Sequence, residues 1–307
     1  MNGDLGHEYG LFGLRFRSEV AIPELRGCAP DPASPVVLIR RLRLPATSEG
    51  GRALGGRAIL TKGEAMLVVP SVARFRVTGG HEIAVDIDEG ASQATVNYHL
   101  LGLVMGVLFL QRGLVPVHAS AIVVDGACVA FVGTRGAGKS TLAAHLHRCG
   151  YMLACDDACV VDLGRHGRPI VWLGLPRLKL RHDALAALGH SVADARSIDD
   201  VEKYYLETRV GERAKPLPLG RIYDIGAGDG EPVRLAGPAA FRCLFRHSHG
   251  RSLLRGMELV ESHAEKCAMI LSHAPVFATR LRRGFDCLDE EADRIQRHIR
   301  AARLELA

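Results

Sequence analysis

Gly133, Thr134, Arg135, Gly136, Ala137, Gly138, Lys139, Ser140 and Thr141 carry the pattern G-x-x-x-x-G-K-[ST], and a carboxylate pair, Asp156-Asp157, follows 17 residues after the lysine. Glycines at such a turn let backbone N–H groups point inward at phosphate oxygens. Lys139 adds a point charge and Ser140 offers a hydroxyl to Mg²⁺. The amphipathic run after the loop, with Leu142, Ala143 and Leu146, predicts a helix over 139–149 whose partly positive N-terminus faces a bound anion. The apolar segment Cys128–Val132 before it reads as a buried strand, so the strand–loop–helix context is complete. All nine loop residues are therefore candidates to bind a nucleoside triphosphate, ATP or another, with Mg²⁺. A glycine-rich turn without a ligand would leave the lysine unexplained.

The elements that must position this loop can be read outward from it. Asp125-Gly126 is a favoured pair for a two-residue hairpin turn, which makes 118–132 two strands. Positions that face one another then sum to 251, and His118 stands opposite Gly133. Histidine is the side chain most easily tuned near neutral pH, so His118 is a candidate beside the loop; the plainer reading is a hydrogen-bonded framework residue. Tyr151–Cys155 is a short apolar strand that delivers Asp156 and Asp157 at its C-terminal end, the edge where ligands gather in parallel α/β sheets. One carboxylate can hold Mg²⁺, directly or through water, while the other takes a proton from an attacking hydroxyl. Strand alternation would aim the two oppositely unless the strand has already ended. The alternative for the pair is a solvated turn or a helix cap at Asp157.

Beyond the pair, Cys159–Leu163 and Pro169–Leu173 read as a hairpin around Gly164–Gly167, followed by Pro176–Leu180 and a helix over 183–188. Arg177 and Lys179 share a strand face. That face reads as solvated, although both could meet phosphate. Asp199, Asp200, Glu202 and Lys203 form a charged surface loop from which Lys203 could reach a substrate. The tail, Glu290–Leu306, is a charged amphipathic helix with outward arginines.

With 307 residues, 48% of them hydrophobic, the chain can build two cores. Short β-like runs up to residue 89 (Val36–Ile39, Met66–Val69, Phe75–Val77, Ile83–Ile87) predict a β-rich N-terminal domain over 1–94, with no catalytic cluster in it. A linking helix over 95–113 ends at Gly113, and 114–307 forms the catalytic α/β domain. The net charge of +5 and pI near 8.8 suit acidic ligands without requiring nucleic acid. Eight cysteines lack C-x-x-C spacing. Cys128, Cys149, Cys155, Cys159 and Cys243 lie in apolar surroundings typical of buried, reduced thiols, which implies a cytoplasmic protein. The pair Cys155 and Cys159 lacks the further ligands of a four-coordinate site and reads as packing. The first nine residues do not read as a signal peptide. The longest apolar run, Leu100–Leu110, is short of the roughly 20 residues of a membrane span, so no membrane partner is expected.

His118-Ala119-Ser120-Ala121, the glycine loop, and Gly150-Tyr151 through Asp156-Asp157 together resemble the HPr serine kinase/phosphorylase family and its shorter HPr-kinase-related members. The resemblance covers 115–188 well, and Glu202-Lys203 and 217–225 more loosely. Tyr9–Leu14 and Ile22–Leu25 are similar to the openings of related kinases found in lasso-peptide biosynthesis. The resemblance implies a P-loop kinase domain with a fold similar to phosphoenolpyruvate carboxykinase, transferring the nucleotide γ-phosphoryl group to a serine hydroxyl. It implies Asp156 as general base, His118 and Asp157 as groups that orient or tune it, Lys139 on the β- and γ-phosphates, and Ser140 with Asp157 at Mg²⁺. The family's acidic residue after the hairpin has no counterpart in Trp172–Arg177, which leaves metal ligation incomplete and disfavours the sugar-transport phosphocarrier as substrate. The implied partner is a peptide or protein with a serine hydroxyl, such as a lasso-peptide precursor with a C-terminal serine; a homo-oligomer stays open. Two other readings compete: a small-molecule hydroxyl kinase, which usually begins at the loop strand, and a nucleotide-binding regulatory protein that transfers nothing. An ABC-type ATPase is disfavoured, because no L-S-G-G-Q-like segment follows and the acidic pair comes too soon.

Overall fold

The computed structural model describes residues 6–26, 28–45, 51–55, 57–164, 166–198, 202–208 and 215–301. Arg165 of the expected hairpin turn, Asp199 and Asp200 of the charged loop, and 302–306 of the expected terminal helix lie outside them. Two compact units divide the chain: 1–116 with 249–265, and 117–248 with 266–307. Residues 249–265 thus belong with the first unit, although they lie inside the span 114–307 read as one domain. Sequence continuity gave no hint of this excursion.

In the first unit, eight strands between His7 and Ile87 form one sheet in the order His7–Leu11, Leu14–Ser18, Val36–Arg41, Glu82–Ile87, Ala73–Thr78, Glu64–Val69, Ala58–Leu60, Arg52–Leu54. Alternation drives it: in Ala73–Thr78 the residues Ala73, Phe75 and Val77 are buried while Arg74, Arg76 and Thr78 are half-buried. The helical stretch from Gln93 to Gln111 includes a π-helical segment, Leu100–Val104. It is 19 residues long and apolar enough to cross a membrane by length and composition, longer than the apolar run alone suggested. Its residues Leu100, Val104, Val107 and Leu108 are fully buried, as in the core helix of a globular unit.

In the second unit, the strand Ser120–Val124 turns at Asp125 (φ 48°) and Gly126 (φ 78°) into Ala127–Val132. Two left-handed residues define a type I′ turn, which matches the twist of the flanking strands. Val124 pairs with Ala127 and Ser120 with Phe131, the register read from the sequence. Ser120–Val124 also pairs antiparallel with Met152–Cys155. Two antiparallel steps restore direction, so Met152–Cys155 ends at the same sheet edge as Ala127–Val132. On its other side, Ala127–Val132 runs parallel to Leu217–Ala227, which runs parallel to Val276–Leu281. A second, three-stranded sheet joins Arg177–Leu180, Lys203–Glu207 and Arg196–Ile198.

Phe131, Tyr223, Leu142, Leu146, Leu153, Leu185 and Ile295 share one core under the loop. The Phe131 and Tyr223 rings lie 6.0 Å apart, and Tyr223 stacks on Phe277 at 5.5 Å. The helix Leu288–Ala301 adds Ala292, Ile295 and Ile299 to this core. Its arginines do not all face outward: Arg294 is buried and pairs with buried Glu291 at 2.5 Å. Charge alternation on a helix does not show that another element has a matching partner ready. Cys149 likewise departs from expectation, being exposed at the end of its helix, whereas Cys128, Cys155, Cys159 and Cys243 are buried.

Phe131→Ala is expected to lower the unfolding free energy of the second unit by about 3–5 kcal/mol. Val233→Ala, at a residue 64% exposed, should change it by no more than about 0.5 kcal/mol. The chain's single tryptophan, Trp172, lies in this unit, so its fluorescence during chemical denaturation reads the effect. Equal, small losses in both variants would contradict the core described.

Candidate active site

Ala127–Val132 ends in a loop whose glycines carry left-handed angles at Gly133 (φ 152°), Gly136 (φ 81°) and Gly138 (φ 94°). At Gly133 a Cβ would sit 2.6 Å from the Ile225 carbonyl oxygen, so the loop leaves its strand through a gap only glycine fits. Above Gly136 and Gly138 a Cβ would meet nothing within 4 Å, which leaves the loop open to a ligand. Gly138 caps the helix Lys139–Arg148 without a side chain, so no side-chain cap covers the first-turn N–H groups. The Lys139 ammonium donates to the Gly133 and Thr134 carbonyls at 2.9 and 3.2 Å. It is buried across the loop's own backbone, and burial lowers its proton affinity while Asp156 and Asp157 raise it.

The strand Met152–Cys155 ends one residue before the carboxylates, and Asp157 takes a left-handed conformation, φ 72°. That break frees the pair from alternation, and both line one cleft of about 590 Å³ with His118, Ser120, Lys139, Ser140, Lys179 and Lys203. Asp156 accepts three hydrogen bonds: from Ser120 Oγ at 2.5 Å, from Ser140 Oγ at 2.9 Å, and from the Lys179 N–H at 2.7 Å. Asp157 pairs with Lys179 Nζ at 3.2 Å and with His118 Nδ1 at 3.4 Å. The same imidazole nitrogen lies 3.0 Å from the Asp157 carbonyl oxygen.

These surroundings push the two carboxyls in opposite directions. Burial raises the proton affinity of Asp156 and outweighs the hydrogen bonds from Ser120 and Lys179. Burial also acts on Asp157, but the Lys179 ammonium, His118 and Lys203 together hold its carboxyl below the usual range. Burial lowers the proton affinity of His118, against the attraction of Asp157. Lys203 is lowered by burial and by its neighbour Lys179.

The cleft thus brings together His118, Lys139, Ser140, Asp156, Asp157 and the loop residues from Arg135 to Thr141. One pairing differs from expectation: the carboxylate in contact with Ser140 is Asp156, whereas Asp157 contacts Lys179 and His118. Lys179 does not face solvent, although the charged strand face suggests it; its side chain is only 11% exposed and its ammonium pairs with Asp157. Its strand partner in parity, Arg177, stacks on the Tyr205 ring at 3.7 Å. The hairpin register that positions His118 also sets Ser120 at this edge, and that register is the sequence signal for its place beside Asp156. Arg282, just after the strand Val276–Leu281, and Glu291, on the last helix, also line the cleft. No sequence pattern links those segments to the loop.

No family model matches the chain, and neither does any curated protein. The HPr(Ser) kinase/phosphatase from Coxiella burnetii is structurally similar. The likeness has a TM-score of 0.32 at 13% identity, covering 61% of this chain and 91% of that one.

The opposed shifts give a measurable pH signature. Asp156 binds its proton more tightly folded than unfolded, so the stability it contributes is present below about pH 3.9, the unfolded value, and is lost as pH rises through its raised folded value. Asp156→Asn removes that titration. Its stability relative to the parent should climb with pH from about 3.9 upward and level off above the folded pKa of Asp156. A difference that stays flat with pH, followed by denaturant melts, would show that Asp156 is not so shifted.

Proposed function

We propose that the protein is a Mg²⁺-assisted phosphotransferase that uses a nucleoside triphosphate to phosphorylate an alcohol. The observation that carries this is Asp156, a carboxylate of raised proton affinity, 2.9 Å from the hydroxyl of Ser140 at the head of the helix that follows an open glycine loop. Backbone amides around Gly136–Thr141 would hold the phosphates, and Lys139, turned from the Gly133 and Thr134 carbonyls, would meet the β- and γ-oxygens. The oxygen donors of Ser140, Asp156 and Asp157 suit a hard cation such as Mg²⁺. When bound, that ion supplies neutralisation of charge on the transferring group.

Asp156 is the better proton acceptor of the pair, because its environment raises its basicity toward working pH while Asp157 is held ionised. It already accepts two O–H hydrogen bonds, so it is oriented to take a proton from an incoming hydroxyl. Asp157, ionised beside Lys179 and His118, contributes charge to the metal side and keeps Lys179 directed at the cleft. Cations from Lys179, Lys203 and Arg282 line the same space, consistent with a polar or anionic acceptor. The acceptor class favoured is a serine hydroxyl of a peptide or protein, with a lasso-peptide precursor as the specific case; this follows from the motif resemblance.

Lys139→Ala should weaken nucleotide binding by roughly 10-fold or more, the loss expected for a charge-assisted contact of about 1.5–3 kcal/mol, as read by isothermal titration. Asp156→Asn should keep nucleotide binding and Mg²⁺ requirement while labelled-phosphate transfer falls by about 10²–10⁴-fold. If instead Asp157→Asn abolishes transfer and Asp156→Asn raises the Mg²⁺ requirement, the two carboxylates exchange roles. If both keep full transfer, the enzyme reading fails.

His118→Ala removes one of the cations that hold Asp157 low. The titration of Asp157 should therefore move to higher pH, toward that of Asp156, and the pH–rate profile should change shape on its acidic side. An unchanged profile would make His118 a framework residue.

A further inference from the structure

A second cluster of chemically able side chains lies beside the loop strand and has no part in the scheme above. Asp224 belongs to Leu217–Ala227 and pairs in register with Val132, the residue before Gly133. Cys243 and His247 are four residues apart on the helix Gly237–His247, a spacing that puts both on one face, and both are buried. His247 Nε2 lies 3.4 Å from Asp224 Oδ1. One ligand atom from each of the three residues lies within 4.8 Å of the other two. Asp224 is 27% exposed and connects the cluster to solvent.

We propose that Asp224, Cys243 and His247 bind a divalent transition metal of the Zn²⁺ class, with a fourth position left for water. Around a tetrahedral ion with bonds of about 2.0–2.3 Å, donors stand about 3.3–3.8 Å apart. The observed separations close to that with side-chain movements of about an ångström. Sulfur and imidazole nitrogen are soft and borderline donors, so the set discriminates against Mg²⁺, whose place is among the oxygens of Ser140 and the aspartates. The site is therefore chemically distinct from the one in the cleft.

The protons balance simply. Burial and the neighbouring Asp224 carboxylate push the Cys243 thiol up to about 12. Without metal it is protonated and helps to hold the Asp224 carboxyl low. On binding, the metal takes the thiolate sulfur and the thiol proton leaves to solvent, so affinity should increase with pH. Among the charged groups that act on the cluster, Arg246 favours the anionic forms of both Asp224 and Cys243.

The backbone shows what the ion would do. His247 accepts a hydrogen bond through its carbonyl oxygen from the His118 N–H at 2.8 Å, and Asp224 sits on the strand that holds Val132. A bound metal would tie the helix that supports His118 to the strand that supports the glycine loop.

Co²⁺ titrated into the full chain, stripped of metal by a chelator, tests this. One equivalent should produce tetrahedral visible bands together with a thiolate-to-cobalt charge-transfer band. Zn²⁺ should abolish both in equimolar competition, and a large excess of Mg²⁺ should not. Cys243→Ala should lose the charge-transfer band, and Asp224→Asn should weaken Co²⁺ by at least roughly 10-fold, each with an unchanged circular dichroism spectrum. Failure of the parent protein to give the thiolate band at saturation overturns the proposal. So does a band that persists in Cys243→Ala, since it would belong to another thiol. Should Cys243→Ala fail to fold, Asp224→Asn decides: unchanged Co²⁺ affinity there also overturns it.

Discussion

The contact on which the second unit turns is the junction of three chain segments at one carboxylate, where Ser120, Ser140 and the backbone of Lys179 all donate to Asp156. Each donor arrives from a different element: the start of a hairpin strand, the first turn of a helix, and a strand of the smaller sheet. An ionised carboxylate with three donors can be held in one rotamer, and it holds the donors in turn. Charge-assisted hydrogen bonds are roughly twice as strong as neutral ones, yet burial outweighs them in the proton affinity of Asp156, so the three donors fix the place of a carboxyl that favours its proton. The strand order makes the tie possible. Because Met152–Cys155 and Ala127–Val132 each lie antiparallel to the strand between them, their C-terminal ends and its N-terminal end share one edge.

Adjacent carboxylates would repel one another if both shared a single environment. The chain avoids this by ending its strand at Cys155 and turning Asp157 through a left-handed conformation. Asp156 is then placed among hydroxyl and amide donors, and Asp157 among cations. One acid gains proton affinity and the other loses it, an arrangement that assigns different chemical work to neighbours of identical type. Lys179 takes part in both halves, donating its N–H to Asp156 and its ammonium to Asp157. A single strand position therefore sets the relation between the two carboxylates.

The parts of this arrangement that were legible in the sequence are those governed by local rules. Asp125-Gly126 specified its turn, the turn specified the register, and the register put Ser120 opposite Phe131 and brought His118 toward the loop. Glycines with a lysine and a serine after an apolar run specified the loop and its helix. The roles of Lys179, Asp224, Arg282 and Glu291 were not legible, because each depends on a pairing between distant segments that no periodicity encodes. Lys179 illustrates the limit: parity placed it with Arg177 on one strand face, but whether that face met water or a carboxylate depended on a strand delivering Asp157 some 22 residues earlier. Arg294 is the same case on a helix. Its charge suggested solvent, and only the packing of the helix against the core gave it buried Glu291 and the Arg280 carbonyl as partners.

The steric demand at Gly133 explains why the strand behind the loop is as constrained as the loop itself. The Ile225 carbonyl approaches closely enough to exclude any Cβ there, and the residue before Ile225 is Asp224, paired to Val132. A shift of Leu217–Ala227 by even a fraction of an ångström would be felt at the first glycine, because packed backbone does not deform continuously. The same strand carries Tyr223, whose ring lies between Phe131 and Phe277 and whose hydroxyl meets His298 Nδ1 at 2.7 Å. Tyr223 and Ile225 thus face the core from one side of the strand, Asp224 faces Cys243 and His247 from the other, and the Ile225 carbonyl bounds the loop exit. Leu217–Ala227 is in this sense the reference against which the loop is positioned.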